Sequence, residues 1–288
     1  GTDVVMVDTG NSYEGLCEYL GGKYISYTEE KPITMNPFNI TQAELNIEKI
    51  DFLKNLILLI WKGSDTKITE LEFRIVEQMV TDYYDAYFHG FDGYDPVQRE
   101  NLHKTLIAAE KRKGRWNAEN LPELEQKVDS KIRLLEERRK ALKVNSLSFN
   151  TFYEYSCERL ELICLENNIT EIDYDKYTYM IQPFYKGGNY DKILNENVDT
   201  TLFSETFIVF EVDAIKENKK LFPIVTLIIM DVFLQKMRIK KNRKVLVIEE
   251  AWKAIASPLM AEYIKFMYKT ARKFWASVGV VTQEIQDI

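Results

Sequence analysis

The chain has 288 residues, of which 45% are hydrophobic and 29% charged, and a net charge of −7. That suits one large or two modest domains with a real core, and the acidic surplus speaks against a body dedicated to coating nucleic acid, though not against a local basic patch. Cys17, Cys157 and Cys164 stand in no CxxC or Cys/His spacing and the only histidines are His89 and His103, so neither a disulfide framework nor a zinc centre nor a histidine-based site is indicated.

Val4 to Val7 is a short apolar run closed by Asp8-Thr9-Gly10, the pattern of a strand buried on both faces of a parallel sheet. A helix is predicted from about Ser12 to Leu20, ended by Gly21-Gly22, then a short strand over Lys23 to Tyr27. Pro32 and Asn36-Pro37 mark loop. Thr41-Gln-Ala-Glu44 reads as a capping box opening a long helix through Ile60, with Leu53, Leu56, Ile57 and Ile60 on one face. Further helices are predicted from Thr69 to about Phe88, from Asp95-Pro96 to Gly114, over about Pro122 to Lys143, and from Ser148 to Glu166. Strand signals then return at Phe207 to Val212, Val245 to Ile248 and Ser277 to Thr282, separated by helices near Pro223 to Met237 and from Ser257-Pro258 to about Phe274. The expected fold is therefore α/β, a parallel sheet flanked by helices with an inserted all-α bundle. Residues 1–40 and 168–288 form the discontinuous α/β domain and residues 41–167 the insertion.

The longest apolar run, Leu221 to Leu234, contains Pro223, Thr226 and Asp231 and falls short of the ~20 residues a membrane span needs. It reads as a buried helix. The opening GTDVVMVD has neither the basic nor the apolar region of a signal peptide. Lacking an initiator Met and starting almost directly on a strand, the sequence reads as an excised piece of a longer protein.

The stretch KVLVIEEAWK, 244 to 253, places Glu249 and Glu250 where a buried strand ends. In a parallel sheet, chemistry gathers at such carboxyl ends. One acidic residue there can help hold magnesium and the next can polarise an attacking water, as in nucleotide hydrolysis. Off an extended backbone the two side chains point different ways, which suits two roles. On this stretch alone a solvated acidic pair is an equal reading. Gln283, ending the next strand, could sense a γ-phosphate, or be a polar loop residue. Arg272, ending the intervening helix, could complement the helix dipole or reach into a neighbouring subunit. Asp8 reads as a turn or cap residue. No GxxxxGKS or GxxxxGKT occurs, and Gly187-Gly188 reads as a turn. The basic segment EKRKGRWN, 110 to 117, reads as a solvated helix end, and the aromatics of YDAYFHGFDGY, 84 to 94, as packing between bundle and α/β domain.

The order VVMVDTGNSYEGLCEYLGGKYI, NPF, a helical insertion, PFYKGGNYDKILN, FIVFEVD, VLVIEEAWK and ARKFWASVGVVTQE resembles the conjugation ATPases of type IV secretion systems, of the TraG type found on conjugative transposons. The resemblance covers nearly the whole chain and implies a RecA-like fold with an all-α insertion. It places a P-loop just ahead of Gly1, so this chain alone is expected to bind ATP weakly or not at all and to be inactive. It implies Glu250 as the catalytic glutamate, Glu249 at the magnesium-associated position (the usual Asp replaced), Arg272 as an arginine finger and Gln283 as the γ-phosphate sensor. ATP and Mg2+ are the implied ligands of the full-length protein. Hexamers, location at the cytoplasmic face of the inner membrane and contact with other secretion-apparatus proteins are likewise implied. DNA as a partner, in the manner of a coupling-protein motor, and a non-catalytic scaffold remain the alternatives.

Overall fold

The computed structural model describes residues 1–282 apart from Arg115, Ala118, Trp252, Ala254 and Ile255. Five parallel strands form its sheet: β1 (Thr2–Asp8), β2 (Lys23–Ser26), β3 (Phe207–Glu211), β4 (Arg243–Ile248) and β5 (Ala276–Val280), in the order β2-β3-β1-β4-β5. Central strands of a sheet covered on both faces are apolar throughout, and β1 and β3 follow this rule. Val5 and Val7 face the large core, while Met6 and Val209 face a smaller one with Cys17. Cys17 comes from helix α1 (Glu14–Tyr19) on that second face.

Register aligns the strand ends. Asp8 pairs with Glu211, Val7 with Ile248, and Ile248 with Val280. The ladder runs past the strands: Glu249 N–H donates to Val7 O at 3.1 Å, Val212 N–H to Asp8 O at 2.9 Å and Val281 N–H to Ile248 O at 2.9 Å. A single carboxyl rim therefore carries the residues that follow β1, β3, β4 and β5.

Between β2 and β3 lie α2 (Ile47–Lys62), α3 (Glu70–Phe88), α4 (Pro96–Lys113), α5 (Leu121–Ala141), α6 (Phe149–Asn167) and α7 (Tyr174–Ile181). The Thr41/Glu44 capping box is present, but it closes a short 3-10 turn over Gln42–Glu44. The long helix starts later, because Asn46 accepts the N–H of Lys49 and becomes its cap. Helix α7 is an addition to the elements expected from the sequence. Its signals are Asp173, which accepts the N–H of Lys176, and the buried pair Tyr177 and Ile181 four residues apart. After α7 comes the turn at Gly187-Gly188, where Gly187 has φ 78°.

Helix α8 (Leu221–Ile239) connects β3 to β4, and α9 (Pro258–Ala271) leads to β5 through a 3-10 turn at Arg272–Phe274. Apolar side chains cover α8 on all sides, and 16 of its 19 residues are buried. A helix of that kind belongs in a protein interior, and α8 packs on β1 and β4 with α2 and α9 on its other flanks. The same continuous core takes in α2, α3 and α6, whereas α4 and α5 share a second cluster of Leu102, Leu106, Leu124, Val128, Ile132 and Leu135 with Leu162 of α6. The aromatics at 84 to 94 behave as packing residues: Tyr84 donates to Phe38 O at 2.9 Å, and Phe91 lies under the Arg139 guanidinium at 4.1 Å.

Candidate active site at the carboxyl rim

Asp8 ends β1 fully buried. Its carboxylate accepts the N–H of Gly10 at 3.1 Å, Ser12 at 2.9 Å and Tyr13 at 3.2 Å. Of the two roles the sequence allows, turn or cap, it takes the first: helix α1 has Tyr13 at its N-cap position without a side-chain cap, and Asp8 folds the 9–13 loop back over the rim. Asn11, left-handed at φ 53°, donates its N–H to Glu211 Oε2 at 3.0 Å. The Tyr13 hydroxyl reaches across to Glu249, donating to Oε1 at 2.8 Å. One loop thus links the ends of β1, β3 and β4.

Glu211 is 2% exposed and also accepts the N–H of Asp213 at 2.6 Å. Burial pushes its carboxyl up to about 7; the N–H groups of Asp213 and Asn11 pull the other way, and Asp8 beside it adds to the rise. Glu249 is raised for the same first reason, burial, with Tyr13 opposing and Asp8 reinforcing. The bond to Glu249, together with burial, raises Tyr13 in turn.

Glu250 faces elsewhere. The sequence predicts that the two glutamates part along an extended backbone; instead Glu250 leaves the extended region, at φ 45°. A non-glycine residue in that region costs of order 1–3 kcal/mol, a cost that clusters at functional sites. Its Oε2 lies 3.1 Å from Lys253 Nζ. Oε2 is buried without an aligned hydrogen bond, so the contact is an ion pair by distance only. Lys253 also donates to Glu217 Oε1 at 2.6 Å, and Lys216 to Thr9 O at 3.4 Å. The rim therefore has a carboxyl cluster around Glu249 and an ion-paired group around Glu250.

Gln283 lies outside the described residues. The chain leading to it runs beside the glutamates, with Ala251 N–H donating to Val281 O at 3.3 Å. Arg272 is exposed and precedes β5, whose first residue pairs with Lys244 at the start of β4. Within one chain it therefore sits at the opposite end of the sheet from Glu249 and Glu250. Sequence reasoning missed Tyr13, Glu211 and Lys253. The "FEVD" strand end could have flagged Glu211, whereas Tyr13 and Lys253 matter only through the tertiary contacts of the rim.

A cavity of about 620 Å³ between α2, the 64–68 loop and α9 contains none of these carboxylates. Its lining is mostly apolar, including Ile68, Phe73, Leu259 and Phe266. The chemistry-bearing groups are on the rim, and we place the candidate site there. Among the described residues no group of three or more His, Cys, Asp or Glu side chains is arranged to hold a metal ion. One carboxylate at Glu249 suits a magnesium that keeps most of its waters and is gripped chiefly by phosphate oxygens.

The family model of the TraG P-loop domain matches residues 1–121 and 86–288, which together span the chain. The chain belongs to the TraG P-loop domain family. A TraG P-loop domain here shares 33% identity over 94 residues with the type IV secretion system protein CagE of Helicobacter pylori, or 33% of this chain and 9% of CagE. Its whole length aligns with VirB4 of Thermoanaerobacter pseudethanolicus at a TM-score of 0.56 and 18% identity, covering 64% of that chain. The chain thus spans less than two thirds of the relatives it matches. The likeness to VirB4 shows the fold, which is RecA-like as the family resemblance implies. The plasmid coupling protein TrwB in complex with ADPNP aligns at a TM-score of 0.34 and 12% identity, too distant to carry an argument.

Proposed function

We propose that this TraG P-loop domain is part of an ATPase motor of conjugative transfer and type IV secretion, with hydrolysis at the carboxyl rim. The observation that carries this reading is the parallel register that sets Glu249 and Glu250 beside the end of β5, from which the chain continues to Gln283. In this account Glu250 polarises a water for attack on the γ-phosphorus; the bond to the β–γ bridging oxygen breaks, and ADP and inorganic phosphate leave. Glu249 would hold magnesium, directly or through water, and Gln283 would contact the γ-phosphate. Bound magnesium would neutralise phosphate charge. The phosphate-gripping loop, absent from these 288 residues, is supplied by the longer protein.

Arg272, exposed and on the far rim of its own chain, acts in a neighbouring subunit, which calls for a ring; a hexamer is the arrangement we propose. Residues 1–40 and 168–288 make the motor domain, and residues 41–167 the helical unit that faces other apparatus proteins. Among the described residues no helix is long and apolar enough to cross a membrane. We place the protein peripherally, at the cytoplasmic face of the inner membrane.

Replacing Glu250 by Gln in the full-length protein tests the reading. Steady-state hydrolysis should fall by about 10²–10⁴-fold while nucleotide still binds. A scaffold without catalytic function would show no change.

A further inference from the structure

We propose that Tyr13 is the positioning residue for Glu249, and that the two side chains form a matched pair. The proposal rests on the magnesium-associated role proposed above for Glu249. A glutamate has one more rotatable bond than an aspartate, so an unrestrained carboxylate at this position would sweep through several orientations. Second-shell hydrogen bonds are the usual means of fixing such a group toward a metal. Tyr13 supplies one, its hydroxyl donating to Glu249 Oε1 at 2.8 Å. Asp8 and Thr9 also face the Glu249 carboxyl.

The loop that carries Tyr13 is itself held on both sides. The buried Asp8 carboxylate takes three N–H groups spaced along it, Tyr13's own among them. Asn11 ties its apex to Glu211 on the neighbouring strand. The Glu249 backbone is fixed separately by its bond to Val7 O at 3.1 Å. Both ends of the Tyr13–Glu249 contact are therefore anchored to the sheet independently, and the length of the glutamate spans the gap between them. An aspartate at 249 would fall about one methylene short of the hydroxyl. On this view the longer acid and the tyrosine belong together.

The test uses the full-length protein carrying Glu250→Gln, so that turnover does not enter. Manganese replaces magnesium, and its binding to the protein–ATP complex is followed by electron paramagnetic resonance. Tyr13→Phe should weaken manganese binding by roughly tenfold while leaving ATP affinity in excess chelator unchanged, which also reports that the variant is folded. Glu249→Asp should weaken manganese binding to a similar degree, and adding Tyr13→Phe to it should change little further. Unaltered manganese affinity in Tyr13→Phe, or losses that simply multiply in the double variant, would overturn the proposal. Failure of manganese to bind the parent complex overturns it too, by removing the metal from Glu249. The hydrolysis reading fails by a separate sign, retained turnover in Glu250→Gln.

Discussion

At Gly188 a methyl group would lie 2.4 Å from the carbonyl oxygen of Pro183, a backbone atom that cannot move aside cheaply. Gly188→Ala should therefore cost about 1–3 kcal/mol, read as a lower urea midpoint at unchanged slope. The glycine pair, which the sequence reads as a turn, is required by it. Glu72 is 7% exposed. Burial raises its carboxyl, but bonds from Lys62 and from Thr69 outweigh burial and hold it below its ordinary value. A depressed folded-state value means that the stabilisation is present above the unfolded value, near ~4.3, and is lost as pH falls through the folded one. Glu72→Gln should thus lose about 0.5–2 kcal/mol at pH 7 and progressively less below about pH 4, measured by urea unfolding at both ends of that range. Glu249 and Glu250 are legible in the sequence because they close an apolar strand, at the end where a parallel sheet gathers its chemistry. Tyr13 is not, since residues 13 and 249 meet only through a strand order that no local pattern encodes.

Among the elements, α2 and α8 are joined by a buried ion pair. Lys49 Nζ lies 3.0 Å from Asp231 Oδ2, with the two side chains 8% and 2% exposed. Gln235 Nε2 donates to the same oxygen at 2.8 Å. Removing one partner strands the other charge. Asp231→Ala should cost about 3–5 kcal/mol, whereas Lys49→Met combined with Asp231→Leu should return most of that loss. Thermal and denaturant unfolding of the two variants decides between them. The apolar run of α8 announces a buried helix, and the lone aspartate in it gives no hint of its partner far along the chain. The start of α2 differs from the sequence expectation for a related reason. Thr41 and Glu44 satisfy the capping pattern, but Leu45 leaves helical backbone at ψ 84°. Asn46 then supplies a second cap. Two valid start signals in succession cannot be ranked from sequence alone.

On the scale of the whole molecule, the inserted helices do not form a body sealed off from the sheet. Leu56 to Trp61 of α2 are at most 5% exposed, more than one amphipathic face can account for. Helices α3, α7, α8 and α9 all pack against α2. Residues 41–167 expressed alone should therefore leave α2 poorly protected against hydrogen exchange, while α4 and α5, with their own cluster, stay protected. Alternating strands and helices are enough to read the parallel class from the sequence; the strand order, and hence which loops share a rim, comes only from the packed structure. That rim is the claim on which the functional account rests. The measurement that tests it most directly is a structure of the full-length protein with magnesium and a non-hydrolysable ATP analogue. The account predicts the γ-phosphate at the carboxyl ends of β4 and β5, against Glu249, Glu250 and Gln283, with Arg272 entering from the adjacent subunit. Nucleotide seated elsewhere, for instance in the cavity between α2 and α9, would contradict it.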